Sequence, residues 1–357
     1  MSCIRSSALS LLGLAATNLA HVIPPAPQSR HIVSRGLDDF QIGPGAGGCS
    51  QSETAQIRAW IDDAIDLLIP SALDAIDAYH PNTAQTLKAL LGVDYDPVYN
   101  VPKDKNELAT IKRWFNEAHN FLDGDKTGTD YEYENAWIMC GDNYQQLKSP
   151  YDWAYNRKGN LLKDENDEYR QIYEVDGYAE KLDEGRDPYW IPGVNVYRFR
   201  FPGTFEPGQP GAECKLARAF VYRVSNNLVI NICRSGPGGG LFVFNSEDTI
   251  DDVEVVENQL LDRLRSRSVI LLHETFHAIR PWDNDYAKNS HDCWHYAKTD
   301  KSKAQGSPEC MALFAAAMYF QTESEDDEGW VFWRLQAEHQ EKAWGDLAKS
   351  PAYDTSV

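Results

Sequence analysis

The stretch Leu271–Ala287, which reads LLHETFHAIRPWDNDYA, decides how the rest of the chain is interpreted. It contains the pattern H-E-x-x-H, in which His273, Glu274 and His277 occupy the fixed positions. Residues four apart lie on the same face of an α-helix, so the two imidazoles can bind one zinc ion. The glutamate beside the first histidine can then act as a general base on a zinc-bound water. The pattern therefore predicts a helix that carries a zinc site.

Apolar residues surround this motif and predict that the helix is buried. They include Val269–Leu272 and Phe276. Pro281 predicts the end of the helix, because proline lacks the N–H that a helix interior requires. A zinc site needs a third protein ligand, and a second pair of histidines four apart, His291 and His295, is one source of it.

The residues that follow the histidines resemble a known family. Arg280–Ala287 can be laid without gaps on the pattern G-T-x-D-x-x-Y-G, which follows an H-E-x-x-H in the aspzincins. These are the deuterolysin-like fungal metalloendopeptidases, and they include lysine-selective enzymes. The alignment keeps the Asp and the Tyr of the pattern at their spacing, as Asp283 and Tyr286. The first Gly, the Thr and the last Gly of the pattern are replaced by Arg280, Pro281 and Ala287.

The resemblance implies a role for each matched residue. Asp283 would be the third zinc ligand, and Tyr286 would donate a hydrogen bond to the oxyanion of the tetrahedral intermediate. A tyrosine that only packs against its neighbours is the alternative for Tyr286. Asp285 is the alternative ligand. It lies eight residues after His277, whereas Asp283 lies six residues after it.

A second segment further along the chain is similar to the same family. Ala297–Asp300 and Gly306–Ala315 resemble the start of the family's last helix, which opens near N-A-D-S-Y-A-L-F-A. Glu309 stands at the acidic position, which in lysine-selective members lines the pocket for the residue after the scissile bond. The resemblance therefore implies that Glu309 binds substrate and pairs with a lysine ammonium. The alternative is a carboxylate that only favours the helix N-terminus.

Composition limits the classes of partner. The chain has 357 residues, of which 42% are hydrophobic and 25% charged, as in globular proteins. Its formal net charge of −20 makes nucleic acid and anionic membranes poor partners. We therefore expect protein or peptide substrates and a monomeric chain.

The N-terminal residues predict secretion. Residues 1–20 have a basic residue, an apolar run and small residues near Ala20, which is the layout of a signal peptide. Residues 21–48 are rich in Pro, Gly and Ser and predict a flexible leader or a short pro-segment. Residues 49–350 are predicted to form a single catalytic domain, with a helical N-terminal part over 52–122.

The cysteines fit an oxidising compartment. Cys3 belongs to the predicted signal peptide, which leaves six cysteines and 15 possible pairings. We favour Cys214–Cys233, because the two residues flank a predicted hairpin. Cys293–Cys310 would connect the loop after the metal helix to the last helix, and Cys49–Cys140 remains by elimination.

The strongest hairpin signal is Ala219–Val224 and Leu228–Cys233, with Asn226 and Asn227 between them. By resemblance to zinc peptidases, an edge strand beside the metal helix can hold substrate backbone. A hairpin that only packs in the core is the alternative.

Together these features predict an α+β protein with a zincin-like metalloprotease fold. Its parts would be a helical N-terminal part, a small twisted sheet, a metal-binding helix and C-terminal helices. The predicted function is a secreted endopeptidase that uses Zn²⁺ and in which Glu274 activates the zinc-bound water, with lysine selectivity as a narrower hypothesis. The alternative is a secreted binding or effector protein that kept the scaffold without turnover.

Overall fold

The computed structural model shows a mixed α+β protein. The residues that it describes are 37–43, 45–124, 133–201, 214, 217–234, 241, 249–253, 259–280, 285–322 and 333–334. The predicted signal peptide, residues 1–20, and the predicted leader up to residue 36 lie outside these ranges.

The N-terminal part is helical over the stretch in which the sequence predicts helices. A π-helical turn, Ala64–Leu68, joins the first two helices and precedes Pro70, which has no N–H to donate. The α-helices among the described residues are α1 (Gln51–Asp63), α2 (Ile69–Ala78), α3 (Pro81–Leu91), α4 (Lys105–Leu122), α5 (Tyr178–Asp183), α6 (Arg267–Ile279), α7 (Ser290–Thr299), α8 (Lys301–Gln305) and α9 (Pro308–Thr322).

The strands are short and form several small sheets. In chain order they are β1 (Gln41–Ile42), β2 (Tyr95–Asp96), β3 (Val101–Pro102), β4 (Asn135–Cys140), β5 (Gln146–Leu147), β6 (Asp187–Ile191), β7 (Val196–Arg200), β8 (Ala219–Val224), β9 (Asn227–Ile232), β10 (Gln259–Leu260) and β11 (Trp333–Arg334). The largest sheet has the order β1-β4-β9-β8, in which β1, β4 and β9 are parallel and β8 is antiparallel. A second sheet, β5-β6-β7, is antiparallel.

The predicted hairpin is confirmed, with its turn shifted by one residue. β8 and β9 pair in register from Val224 with Asn227, so Ser225 and Asn226 form the turn. Ser225 has φ 51°, in the left-handed region. Asn227 is the first residue of β9, and its side chain stabilises this position: Oδ1 accepts a hydrogen bond from Trp137 Nε1 of β4 at 3.2 Å.

Alternation along the strands gives the largest sheet two buried faces. One face, which includes Ile138 and Ile230, packs against the helices in the main hydrophobic core. The other face, which includes Met139 and Val229, packs against Val196 and its neighbours from the β5-β6-β7 region. Helix α6 lies on the first of these faces, in contact with β8, α1, α4 and α9.

Helix α9 is buried over almost its whole length. Every residue from Ser307 to Phe320 is buried, so this helix has no solvent-facing side over that stretch. Within the described ranges, none of the helices combines the length and apolar composition that spanning a bilayer requires.

The folded region begins earlier than the predicted boundary at residue 49. Leu37 and Phe40 are buried, and the Phe40 ring meets Phe121 edge-on at 5.4 Å. Strand β1 pairs with β4. Residues 37–43 and 45–48 are therefore part of the fold and not of a flexible leader, which corrects the prediction for that part of the segment.

All three favoured disulfides are present. They join Cys49 to Cys140, Cys214 to Cys233, and Cys293 to Cys310. The first attaches the segment before α1 to β4, and the third attaches α7 to α9. Three disulfides are typical of proteins that fold in an oxidising compartment.

Candidate metal centre

Helix α6 carries the two histidines of the sequence motif. Its N-cap is Ser266, whose hydroxyl accepts a hydrogen bond from Val269 N at 3.3 Å. His273 and His277 lie one turn apart, with ring centroids 5.0 Å apart. Most of the other residues of the helix are buried, including Phe276. Burial of the other faces fixes the helix and leaves both imidazoles on the side that is partly open to solvent.

Asp285 lies against both histidines. Its Oδ1 is 2.9 Å from His277 Nε2 and 3.3 Å from His273 Nε2. The ligand atoms of the three residues all lie within 4.8 Å of one another. Asp283, the ligand implied by the resemblance, lies outside the described residues. Asp285, the alternative in the sequence, is the carboxylate that the structure brings to the histidines.

This donor set fits a zinc ion. Two imidazole nitrogens and one carboxylate oxygen are the ligand types that zinc prefers in catalytic sites. A tetrahedral zinc ion with bonds of about 2.0–2.1 Å separates its ligand atoms by about 3.3 Å. The separations of Asp285 Oδ1 from the two Nε2 atoms, 2.9 and 3.3 Å, are close to that value.

Glu309 contacts the first histidine from the side away from Asp285. Its Oε2 is 3.1 Å from His273 Nδ1 and accepts a hydrogen bond from Arg265 Nη2 at 2.8 Å. The Glu309 side chain is 2% exposed. The family resemblance implied a carboxylate that binds substrate; in the structure the group is buried against a histidine and an arginine.

The charges of the cluster depend on one another. Burial lowers the pKa of His273, but hydrogen bonds with Asp285 and Glu309 outweigh it and raise this pKa to about 10. Burial raises the pKa of Asp285, but hydrogen bonds with His273 and His277 outweigh it and hold this pKa well below its usual range. Since a metal binds the neutral imidazole, zinc and protons would compete for these histidines.

Glu274 is buried beside the cluster, with 5% of its surface exposed. Burial raises the pKa of its carboxyl group above the usual value, and the nearby His273 and His277 oppose this shift only in part. Its charge also interacts with Asp285 and Glu309. Glu274 therefore lies close enough to His273, His277 and Asp285 for their charges to affect its pKa.

Tyr286 is 37% exposed and follows the candidate ligand Asp285 directly. Its ring meets that of Tyr296 at 6.3 Å, and Lys303 Nζ lies 5.8 Å from its centroid. The tyrosine thus belongs to the same surface as the cluster, with its ring packed towards α7 and α8.

Strand β8 lies beside the C-terminal end of α6. Arg223 of β8 donates a hydrogen bond from Nη2 to the carbonyl oxygen of Ala278 in α6. In the part of the chain that the structure describes, β8 pairs with β9 on one side and with no strand on the other. Among the described residues β8 is therefore an edge strand of the sheet, and it lies next to α6.

One feature of the centre was not predictable from the sequence. Arg265 was not singled out, because its partner Glu309 lies 44 residues away and no local pattern connects them. His291 and His295, proposed as a ligand source, lie on α7 and are not part of the described cluster.

Comparison of the chain with protein-family models, with characterised proteins and with solved structures finds no match.

Proposed function

We propose that this chain is a secreted zinc-dependent endopeptidase with a zincin-like fold. The observation that carries the proposal is the convergence of His273 Nε2, His277 Nε2 and Asp285 Oδ1, with the buried Glu274 beside them. Helix α6 packed on a sheet with an antiparallel edge strand supports the fold assignment. The resemblance of 280–287 and 306–315 to the aspzincins supports the reaction class.

The residues of the cluster divide the chemistry between them. His273, His277 and Asp285 would hold the metal. A zinc ion bound there would polarise a water molecule and the substrate carbonyl. Glu274 would take the proton of the attacking water. Tyr286, by resemblance, would donate a hydrogen bond to the oxyanion.

Strand β8, an edge strand among the described residues, gives a place for the substrate backbone. An extended peptide can add to a free strand edge by main-chain hydrogen bonds, with little dependence on its sequence. Because β8 lies against the end of α6, a peptide on this edge would pass near the two histidines. Selectivity for lysine rests on Glu309 alone, and its contacts with His273 and Arg265 argue against it.

Secretion is part of the proposal. It rests on the signal-peptide layout of residues 1–20 and on the three disulfides. The net charge of −20 fits a partner that is a protein or peptide and disfavours nucleic acid and anionic membranes.

A binding or effector protein is the second candidate. The observation in its favour is that Arg280 and Pro281 replace the Gly and Thr of the family pattern. The guanidinium carbon of Arg280 lies 3.4 Å from the centroid of the Trp114 ring, so this side chain packs against α4.

Hydrolysis assays separate the two candidates. The zinc-loaded protein is expected to cleave a denatured protein substrate, to lose this activity with a chelator and to regain it with added zinc. Mass spectrometry of the fragments should show no enrichment of lysine after the scissile bond. A protein that binds zinc but cleaves nothing in a mixed peptide library would be a binding protein.

A further inference from the structure

Glu309 occupies an unusual place for a carboxylate. It lies in the first turn of α9, within the run of buried residues that extends from Ser307 to Phe320. Only 1% of its surface is exposed. Burying a charged group is costly unless it is paired and hydrogen-bonded, so its partners should account for its position.

Those partners are a histidine and an arginine that meet one oxygen. Glu309 Oε2 is 3.1 Å from His273 Nδ1 and 2.8 Å from Arg265 Nη2. The other oxygen, Oε1, is buried and has no hydrogen-bond partner among the described residues. All of the hydrogen bonding of this carboxylate is therefore directed at His273 and at the cation that balances its charge.

We propose that Glu309, with its charge balanced by Arg265, is the positioning residue that presents His273 Nε2 to the metal. The proposal rests on the metal centre of the proposed function. It replaces the contact with a substrate lysine that the resemblance implies for Glu309.

The tautomer of His273 follows from this contact. An ionised carboxylate only accepts hydrogen bonds, so His273 Nδ1 carries a proton and donates it to Glu309 Oε2. In the neutral form, which is the form that binds a metal, the ring then has its lone pair on Nε2, on the side of His277 and Asp285. A metal-bound histidine commonly donates its second N–H to a carboxylate, which fixes the ring and raises its basicity.

The backbone around Glu309 is well restrained. The next residue, Cys310, forms a disulfide with Cys293 of α7, and Met311 and Ala312 are 1% exposed. Arg265 immediately precedes Ser266, the N-cap of α6. The carboxylate and its cation are thus attached to the two helices whose relative position sets the geometry of His273.

Zinc affinity tests the inference without relying on catalysis. Glu309→Gln keeps the size of the side chain and one acceptor oxygen but removes the charge. We expect it to weaken zinc binding about 10- to 100-fold in competition with a chromophoric chelator. The visible absorption spectrum of the cobalt-substituted protein should also change, because it reports ligand geometry.

Glu53→Gln is the matched control. Glu53 also pairs with an arginine through hydrogen bonds, from Arg234 Nε at 2.6 Å and Nη2 at 2.8 Å. These bonds lower the pKa of Glu53 to about 2. The described contacts of this pair are with Ser50 and Gly48, so zinc affinity and the cobalt spectrum should match those of the wild type.

Glu309→Asp is the second variant, in case Glu309→Gln does not reach a folded state by circular dichroism. It keeps the charge and withdraws the oxygens by one methylene, so positioning predicts a loss of zinc affinity of about 10-fold. If the folded variants bind zinc as tightly as the wild type, the inference is wrong and the proposed function stands. If the wild type binds no zinc, both are wrong.

Discussion

Replacement of Glu274 by Gln is expected to leave zinc bound and the fold intact while peptide hydrolysis falls about 10²- to 10⁴-fold. The glutamine has the same shape as the glutamate, so packing around a side chain that is 5% exposed should change little. It cannot accept the proton of the attacking water. Glu274 lies next to His273 in the chain, and its charge interacts with those of both histidines.

The measurement is kcat on a quenched fluorescent peptide, together with zinc content and thermal unfolding of the same preparation. Glu53→Gln serves as the control, because it removes a partly buried carboxylate whose hydrogen bonds are with Ser50 and Arg234. Wild-type kcat in Glu274→Gln would mean that another group is the base.

Replacement of Asp285 by Ala is expected to weaken zinc binding by more than about 100-fold, the upper end for loss of a contact that only supports a ligand. Asp285 Oδ1 is the one described carboxylate oxygen in the His273–His277 cluster. Its removal leaves two imidazoles among the described ligands, too few for a stable zinc site.

Asp283→Ala is the matched comparison, since it removes the same charge two residues away. Chelator competition on the two variants, each checked for folding by circular dichroism, measures the difference. A larger loss of affinity in Asp283→Ala would support the ligand that the aspzincin pattern implies and contradict Asp285.

The parts of the site that are local in sequence were predictable. His273 and His277 are four residues apart, and helical geometry alone brings them together once the apolar residues around them bury the helix. The pairing of Cys214 with Cys233 was predictable for a similar reason, because the hairpin between them brings its two ends close.

The third ligand depends on the path of the chain after α6, which helical periodicity does not determine. Asp283 and Asp285 are both acidic and lie two residues apart, and the family pattern favoured Asp283, whereas Asp285 is the one that the structure describes beside the histidines. The Arg265–Glu309 pair was not predictable, because it forms only when α9 packs against α6.

The start of the fold was misjudged because composition was given more weight than pairing. The Gly- and Pro-rich segment before Cys49 looks flexible in sequence. In the structure β1 pairs with β4, and the Phe40 ring packs against Phe121. A two-residue strand and a single aromatic residue are too short to form a recognisable pattern in the sequence.

The zinc content of the purified protein tests the central claim most directly. Elemental analysis after dialysis should give about one zinc ion per chain for the wild type, as one cluster of three protein ligands predicts. The double variant His273→Ala/His277→Ala should hold almost none while it remains folded. A wild type without zinc, or a double variant that keeps its full complement, would contradict the metal centre on which the proposed function depends.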